Sequence, residues 1–584
     1  MAYIGKTMIK AKVPAENPEA NLKSYDEIYR TFSWSEVEKH FSWHQTGQLN
    51  IVQEAIDRWA NAPQNDSHVA LIFEQNGEVH KFNYRDLKEK SCQWANLLVK
   101  YGFNKGDRLF IFLPPCPEIY FVMLACARMG VVFCPLFSTF GYDEVEIRLE
   151  NASPRGIITH PDLVDRIPPD AKETLRYLFL IDGPLTHLFP KEIIIKDMPD
   201  QMPNAFDNTW LSGDTPLYMS YTSGSTGPPK GIVHGHQDMV GMLVTGKYVL
   251  DLRKDTVLWV DADPAWITGT VYGAFVPWLC GATTLIQGDP FLASNWYWTL
   301  EKHQVAVWYT TPKTIRELMK AGENLPSRYD LQNLRHISTV GATLVPDLFY
   351  WVKKNLNLSP HDTWWMSETG IICIANFASM DIKPGAIGKP VPGIEAVIVD
   401  EEGQPLPPLS MGELALKARW PGLMGSVWKD EQRYQAYFRV PGLFLTGDIA
   451  LQDEDGYFYH QGRNDDLLKV DSDKVIGPFE IERVLYMHPA VAEAAVISKG
   501  TEPGEGVSYL KAFIAVHQGI TPSTRLTIEI KAFVKANLSS EIIVGEVEFL
   551  DELPKTRTGK LLRRVLRARE LGLPSGDPRK MNDG

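Results

Sequence analysis

The chain has 584 residues, too many for one hydrophobic core, so roughly two to four domains are expected. Hydrophobic residues make up 44% and charged residues 22%, which excludes a disordered or collagen-like chain. The net charge of −13 is spread along the chain, and the six cysteines lack paired spacing, which argues against nucleic-acid binding, a zinc site and a disulfide scaffold.

The first part of the chain alternates helical and strand-like segments. The N-terminus lacks the long apolar core of a signal peptide, so we expect a cytoplasmic protein. LNIVQEAIDRWA predicts an amphipathic helix, followed by a strand in HVALIFEQ, a helix near Tyr84 to Tyr101 and a strand in RLFIFLPP. The apolar stretch Ile119 to Phe137 has the length of a membrane span, but Arg128 interrupts it, which favours a buried helix, turn and strand.

Further strands are predicted in RGIITH, LRYLFLID and AVWYTTP, and the alternation is typical of a parallel sheet covered on both faces. The large N-terminal part is therefore predicted to be α/β. Beyond it, ALQDEDGYFYHQG predicts a hairpin, and EIERVLYMHPAVAEAAVISK predicts a helix followed by a strand, as in a smaller α+β domain. The polar stretch GRNDDLLKVDSDK is the candidate hinge, which divides the chain into residues 1–464 and 465–584.

The segment LYMSYTSGSTGPPKGIVHGH places glycines and hydroxyl residues between a strand and Lys230. Glycines allow close backbone approach, hydroxyls and amides can cradle phosphate oxygens, and a lysine neutralises their charge, so we predict a phosphate loop. Pro229 stands where a Walker A loop requires glycine, which disfavours a P-loop NTPase. Tyr221 to Gly231 instead resembles the motif of the adenylate-forming superfamily, and the resemblance extends over nearly the whole chain.

Within that superfamily the chain resembles the AMP-forming acyl-CoA synthetases, and most of all the acetyl-CoA synthetases. The resemblance implies a large N-terminal adenylation domain, a small mobile C-terminal domain, and ATP-dependent ligation of a short acid, acetate foremost, to coenzyme A through acyl-AMP. ATP, Mg²⁺, coenzyme A and the acid are the implied small-molecule ligands, with no nucleic-acid or membrane partner. A larger acid, such as propionate, butyrate or a cyclic acid, stays open as an alternative.

The identity of the acyl acceptor and the presence of catalysis are also open to competing interpretations. A carrier-protein thiol or an amine could replace coenzyme A, but no carrier domain is visible after Lys560. A non-catalytic nucleotide-binding protein would be expected to lose Lys560 or Glu368, and both are present. The reaction that the resemblance implies is chemically reversible when pyrophosphate is available, so operation in the reverse direction stays open as well.

The resemblance assigns roles to individual residues. Catalytic roles fall to Lys230, to Glu368 as the Mg²⁺ ligand, and to Lys560, which contacts the acyl carboxylate and the α-phosphate. The hinge residue is Asp465. ATP-binding residues are Thr222, Ser223, Gly224, Ser225, Thr226, Gly227, Gly341, Ala342, Thr343, Asp362, Thr363, Trp364, Trp365, Met366, Ser367, Asp448 and Arg463.

The acid and coenzyme A sites follow from the same resemblance. Trp365 closes the acyl pocket in acetyl-CoA synthetases, and the remaining wall matches Trp266, Ile267, Thr268 and Val340. The loop VDSDKVIG is one residue longer than the family pattern and lacks its glycine and arginine. The implied coenzyme A residues are Ser472, Lys474 and Lys535, the last at a position where the family has an arginine.

Overall fold

A computed structural model describes residues 8–10, 19–171, 175–186, 188–189, 191–222, 229–417, 419–464, 468–471, 474–499, 509–538, 544–555 and 561–570. The chain forms two compact units. One comprises Met1–Glu395 with Ala418–Ala436, and the other comprises Ala396–Lys417 with Tyr437–Asp583. The predicted division of the chain into residues 1–464 and 465–584 marks the position of a hinge, which compactness does not test, so it stays a prediction.

The strands of both units are numbered in chain order. They are β1 (Val69–Gln75), β2 (Glu78–Asn83), β3 (Arg108–Phe112), β4 (Val132–Leu136), β5 (Gly156–Thr159), β6 (Tyr177–Leu180), β7 (Glu192–Ile194), β8 (Pro216–Thr222), β9 (Lys230–Gly235), β10 (Val257–Val260), β11 (Thr283–Gln287), β12 (Val307–Thr310), β13 (His336–Thr339), β14 (Pro360–Trp364), β15 (Ile374–Ala375), β16 (Lys389–Pro390), β17 (Ala396–Val399), β18 (Met411–Lys417), β19 (Ser426–Val427), β20 (Leu443–Gln452), β21 (Phe458–Arg463), β22 (Leu468–Asp471), β23 (Lys474–Ile476), β24 (Val491–Lys499), β25 (Tyr509–Val516) and β26 (Val544–Phe549).

The α-helices follow in the same order. They are α1 (Tyr25–Thr31), α2 (Trp34–Glu38), α3 (Trp43–Thr46), α4 (Arg58–Ala60), α5 (Tyr84–Lys100), α6 (Glu118–Met129), α7 (Tyr142–Ala152), α8 (Met239–Tyr248), α9 (Ile267–Thr270), α10 (Val276–Leu279), α11 (Ala293–Lys302), α12 (Pro312–Lys320), α13 (Pro346–Leu356), α14 (Glu431–Ala436), α15 (Pro478–Tyr486), α16 (Thr524–Asn537) and α17 (Arg563–Glu570). Helical turns of π type cover Gln53–Asp57 and Val271–Phe275, and short 3₁₀ turns connect several of the helices and strands.

The first unit contains two large sheets that are mainly parallel. The nine-stranded sheet has the order β16-β15-β14-β13-β12-β10-β11-β1-β2, with parallel pairing from β14 to β1. The eight-stranded sheet has the order β19-β9-β8-β4-β3-β5-β6-β7, with parallel pairing from β8 to β7. Their central strands β4, β5, β12, β13 and β14 are buried throughout, as in parallel sheets covered on both faces. The α/β prediction is confirmed.

Most predicted elements of this unit occur where the sequence pattern placed them. HVALIFEQ contains β1, RLFIFLPP contains β3, and α5 spans the predicted helix near Tyr84 to Tyr101. A capping box starts α5, because Asn83 Oδ1 accepts the Asp86 N–H and Asp86 Oδ2 accepts the Asn83 N–H. The helix in LNIVQEAIDRWA is less regular than predicted, since Gln53–Asp57 forms a π turn.

Arg128 explains how the apolar stretch Ile119 to Phe137 fits inside a protein core. Its guanidinium donates to both carboxylate oxygens of Asp57, at 2.8 and 2.6 Å, and to Ser91 Oγ at 2.8 Å. Arg128 is 0% and Asp57 4% exposed, and a buried charge is tolerated only when it is paired and hydrogen-bonded. The stretch forms α6, a turn at Gly130 and β4, so the predicted buried helix, turn and strand are confirmed.

Replacing Arg128 with methionine is expected to lower the free energy of unfolding by about 3–5 kcal/mol, because the Asp57 carboxylate would stay buried without its cation. The matched control is Arg85→Ala, which breaks a 2.5 Å pair with Asp66 whose side chains are 51% and 54% exposed. That change should lower the free energy by less than about 1 kcal/mol. Urea unfolding curves measure both, and equal shifts would contradict the burial argument.

The second unit has smaller sheets. β17-β18-β20-β21 is antiparallel, β22 and β23 form a pair, and β24-β25-β26 combines antiparallel and parallel pairing. The predicted hairpin is β20-β21, and the predicted helix followed by a strand is α15 and β24, so both are confirmed. The polar hinge stretch contains β22, a strand that its composition did not predict. In the described parts of both units, no helix is long and apolar enough to cross a bilayer.

Candidate active site

Lys230 and Glu368 form a pair in the first unit beside the predicted phosphate loop. Lys230 is the first residue of β9, and the antiparallel register places it opposite Thr222, the last residue of β8. Lys230 Nζ lies 3.5 Å from Glu368 Oε1, and the two side chains are only 14% and 6% exposed. Thr222 and Lys230 thus stand at the two ends of the segment that the sequence assigns to phosphates, and Lys230 lies beside a buried carboxylate.

The chemistry of this pair fits a magnesium nucleotide. Mg²⁺ is usually held by one or two carboxylates together with phosphate oxygens and waters, so Glu368 alone is a sufficient protein ligand. Among the described residues no cluster of three or more histidine, cysteine or carboxylate side chains could hold a metal by itself. The hydroxyl of Thr222 is buried and has no hydrogen-bond partner in the described part of the chain, which suits a ligand oxygen.

Asp362 links the two predicted walls of the nucleotide site. It lies in β14 and is 3% exposed. Its Oδ1 accepts from Thr339 Oγ1 at 2.8 Å, and its Oδ2 accepts from the Leu344 N–H at 3.0 Å. These two bonds fix both ends of the segment that contains Gly341, Ala342 and Thr343. Asp362 therefore lies in one predicted wall of the nucleotide site and, through these two hydrogen bonds, holds the backbone of the other wall in place.

The remaining residues of the predicted adenine wall differ in exposure. Thr363 donates through Oγ1 to the Thr339 carbonyl at 2.7 Å and is buried, and Trp364 is 7% exposed. Met366 and Ser367 are partly exposed and follow shortly after β14. Since the carboxyl ends of parallel strands are where ligands bind in α/β sheets, this turn occupies the expected edge of the nine-stranded sheet.

The five residues predicted for the acyl pocket lie beyond the carboxyl ends of neighbouring strands. Val340 directly follows β13 and Trp365 directly follows β14, while Trp266, Ile267 and Thr268 come after β10. Because β10, β12, β13 and β14 pair in parallel, these ends share one edge of the sheet. The buried members of the set are Ile267, Thr268 and Val340, and the two tryptophans are partly exposed.

Trp365 is held in place by two aromatic residues that the sequence analysis did not single out. Its Nε1–H donates to Tyr309 Oη at 3.1 Å, and its ring meets the Tyr272 ring edge-on at a centroid distance of 5.0 Å. Burial raises the pKa of the Tyr309 phenol above its ordinary value, which keeps this oxygen neutral. The Thr268 hydroxyl is buried and has no hydrogen-bond partner among the described residues.

The residues predicted to bind ribose lie in the second unit. Asp448 in β20 is 7% exposed and pairs in register with Arg463 in β21. Arg463 Nη1 donates to Asp448 Oδ1 at 2.8 Å, and His460 Nε2 lies 3.3 Å from Asp448 Oδ2. Glycine is favoured at Gly447, because its φ is +72° and a Cβ there would lie 2.8 Å from Arg463 Nη2 and would displace the guanidinium.

His460 was missed in the sequence analysis for a physical reason. The register between β20 and β21 shifts at Ile449 and Ala450, so simple alternation does not place His460 beside Asp448.

Eight of the predicted site residues, Ser223, Gly224, Ser225, Thr226, Gly227, Asp465, Ser472 and Lys560, lie outside the described residues. Lys474 begins β23, and Lys535 is exposed near the end of α16. The coenzyme A and hinge assignments stay predictions.

Comparison with known proteins gives matches along nearly the whole chain. The sequence profile of AMP-binding enzymes matches residues 57–428, and that of the AMP-binding enzyme C-terminal domain matches residues 480–560. An acetyl-coenzyme A synthetase of Bacillus subtilis is 46% identical over 98% of this chain and 99% of its own length. An acetyl-coenzyme A synthetase of Methanothrix soehngenii is 34% identical over 98% of this chain and 91% of its own length.

Solved structures with similar folds are also found. The anthranilate CoA ligase AuaEII in complex with anthranoyl-AMP has a TM-score of 0.81 and 26% identity, covering 90% of this chain and 98% of its own. An acyl-CoA synthetase of Brucella canis has a TM-score of 0.73 and 26% identity, covering 94% of this chain and 99% of its own.

Proposed function

The chain belongs to the AMP-binding enzyme family, and from this we propose that it joins acetate to coenzyme A at the expense of ATP, through an acetyl-AMP intermediate. The observation that carries the proposal is the 46% identity, over 98% of the chain, with an acetyl-coenzyme A synthetase. The buried Lys230–Glu368 pair at the predicted phosphate loop supports the nucleotide half of the reaction.

In the first step a carboxylate oxygen of acetate attacks the α-phosphorus of ATP. A new P–O bond forms, the bond between the α-phosphorus and the bridging oxygen breaks, and pyrophosphate leaves. This step requires little acid–base chemistry, because the nucleophile is already ionised and the leaving group is an anion. Positioning and charge neutralisation are therefore the main tasks of the protein.

The described residues suit these tasks. Lys230 supplies a positive charge to the phosphates, and Thr222 supplies a hydroxyl at the start of the loop. Glu368 would hold Mg²⁺, which neutralises charge on the phosphate oxygens when it is bound. Asp448 offers two acceptor oxygens to the ribose hydroxyls, with Arg463 fixing its orientation at 2.8 Å.

The acid is selected by the size of its pocket. We assign to Trp365 the limit on acyl chain length, because its indole is held in place by Tyr309 and Tyr272 and an indole fills much of the space that a longer chain would need. The buried Thr268 hydroxyl, with no partner among the described residues, can donate to an acid carboxylate. Propionate is the nearest competing substrate, because one methylene changes pocket binding by only about 1–3 kcal/mol.

In the second step the sulfur of coenzyme A attacks the acyl carbon, a C–S bond forms and the thiol loses its proton. The bond between the acyl carbon and the oxygen that bridges it to phosphorus breaks, and AMP leaves with that oxygen. We assign Lys560 to the first step and the hinge at Asp465 to the movement that exchanges the two steps. Ser472, Lys474 and Lys535 are the proposed contacts of coenzyme A.

The experiment is a pyrophosphate-release assay with acetate, propionate, butyrate and benzoate, each with and without coenzyme A. We expect acetate to give the highest kcat/KM, propionate a lower value, and butyrate and benzoate little release. Sustained turnover should require coenzyme A, and acetyl-CoA should be recovered by mass spectrometry. A preference for benzoate, or turnover with an amine instead of the thiol, would contradict the proposed function.

A further inference from the structure

The turn that carries Glu368 is held by three donors from two segments of the first unit, one from β9 and two from residues 420–424. The carbonyls of Ser367, Glu368 and Thr369 accept, respectively, from His234 Nε2 at 2.7 Å, from the Met424 N–H at 2.9 Å and from Trp420 Nε1 at 3.1 Å. Three successive carbonyls are therefore fixed, which restricts the direction in which the Glu368 carboxylate can point.

Of these three donors, His234 lies on the same strand as Lys230. The two residues are four positions apart in β9, so they face the same side of the sheet. Lys230 lies next to the carboxylate of Glu368, while His234 donates to the carbonyl one residue earlier. Strand β9 thus supplies both the cation that pairs with Glu368 and a hydrogen bond that holds the backbone of the Glu368 turn.

The hydrogen-bond partners of His234 define its role. Its Nδ1 lies 2.8 Å from Asp238 Oδ2, and its Nε2 lies 2.7 Å from the Ser367 carbonyl oxygen. A carbonyl oxygen can only accept, so Nε2 is the ring atom that donates to Ser367, while Nδ1 faces the Asp238 carboxylate. His234 is 0% exposed and stacks on the Tyr218 ring at 4.9 Å, so its orientation is fixed.

Gly370 allows this arrangement. With φ at +66°, a Cβ on Gly370 would lie 2.6 Å from His234 Cε1 and 2.1 Å from the Gly422 carbonyl oxygen. Only glycine lets the turn come this close to the imidazole. The end of the turn is therefore shaped around the ring of His234.

We propose that His234, oriented by Asp238, is a positioning residue that fixes the Glu368 turn for magnesium nucleotide binding. This inference rests on the proposed function and adds to it a residue that touches neither the nucleotide nor the acid. Groups that orient a metal-binding carboxylate typically change metal affinity or activity by roughly 10- to 100-fold when they are removed. The effect should appear in ATP binding as well as in catalysis.

The test compares two variants of His234, glutamine and asparagine, each of which keeps only one of the two hydrogen bonds that the imidazole makes. His234→Gln can place an amide N–H near the position of Nε2 and keep the bond to Ser367. His234→Asn places its amide near Nδ1, which keeps a donor for Asp238 and loses the bond to Ser367. Binding of ATP without acid is measured by calorimetry, with Mg²⁺ and with EDTA, and Glu368→Gln defines complete loss of the carboxylate.

In the wild type and in His234→Gln we expect a similar gain in ATP affinity on adding Mg²⁺. In His234→Asn the gain should fall roughly 10-fold or more toward that of Glu368→Gln, while binding in EDTA stays within about 3-fold of wild type. The Mg²⁺ concentration that gives half-maximal pyrophosphate release should rise by a similar factor.

A wild-type Mg²⁺ effect in His234→Asn would overturn this inference and leave the proposed function intact. If His234→Asn does not fold, His234→Gln decides, since a loss equal to that of Glu368→Gln would also overturn it. If the wild type itself shows no Mg²⁺-dependent ATP binding, the proposed function fails first, and the inference fails with it. If the wild type binds ATP with Mg²⁺ but prefers another acid, only the substrate assignment changes.

Discussion

Replacing Lys560 with alanine is expected to slow acetyl-AMP formation by about 10²–10³-fold, while transfer from preformed acetyl-AMP to coenzyme A stays within severalfold of wild type. The physical reason is that negative charge accumulates around the α-phosphate only in the first step, and a positioned cation there stabilises the transition state. In the second step the acyl carbon reacts with a thiol, and the same cation has no comparable task. The two half-reactions are measured separately, by pyrophosphate release and by AMP release from synthetic acetyl-AMP.

The described residues that flank Lys560 are anchored within the second unit, so the alanine variant should fold. Lys555 and Leu561 pair in a short β-bridge, and the Leu562 N–H donates to the Pro554 carbonyl at 2.9 Å. A little further on, Arg563 Nη2 lies 2.6 Å from an oxygen of the buried Glu482.

The matched control is Lys555→Ala, which removes a nearby lysine that pairs with Glu493. It should lower stability without changing the ratio of the two half-reaction rates. Equal losses in both half-reactions for Lys560→Ala would remove Lys560 from its assigned role in the first step.

The sequence was sufficient for features that depend on local signals. The strand before the phosphate loop, the hairpin of β20 and β21, and the helix, turn and strand around Arg128 are encoded in neighbouring residues through periodicity, turn residues and capping. The family resemblance then named Glu368 and Asp448, because their motifs are short and ordered along the chain. None of these inferences required knowledge of which distant segments meet.

Features that depend on distant contacts were not accessible in the same way. Asp57 lies 71 residues from Arg128, Tyr309 lies 56 residues from Trp365, and His234 lies 133 residues from Ser367. The sequence around each of these residues predicts only an ordinary core or surface position. The two members of each pair come together only when the chain folds. The same holds for Ala396–Lys417, which joins the second unit because β18 pairs with β20.

Replacing Trp365 with glycine is expected to change the preferred substrate from acetate to butyrate or a longer acid. The indole is fixed by the hydrogen bond to Tyr309 and by the edge-on contact with Tyr272, so it cannot rotate away to admit a larger acid. Its removal should open space for the added methylenes, each of which gains about 1–3 kcal/mol when it is buried. The ratio of kcat/KM for butyrate to that for acetate should therefore rise by about 10²-fold or more, with acetate use weakened.

The control for this change is Trp365→Phe, which keeps a ring in the pocket and loses the bond from Nε1 to Tyr309 Oη at 3.1 Å. A ring of this size should still exclude butyrate, so the acetate preference should persist with a modest loss of rate. If glycine and phenylalanine had equal effects, the hydrogen bond rather than the volume of the indole would decide specificity. If the wild type already preferred butyrate or benzoate, the pocket assignment would be wrong, although adenylation by the Lys230–Glu368 site could still operate, because phosphate chemistry does not depend on the length of the acid.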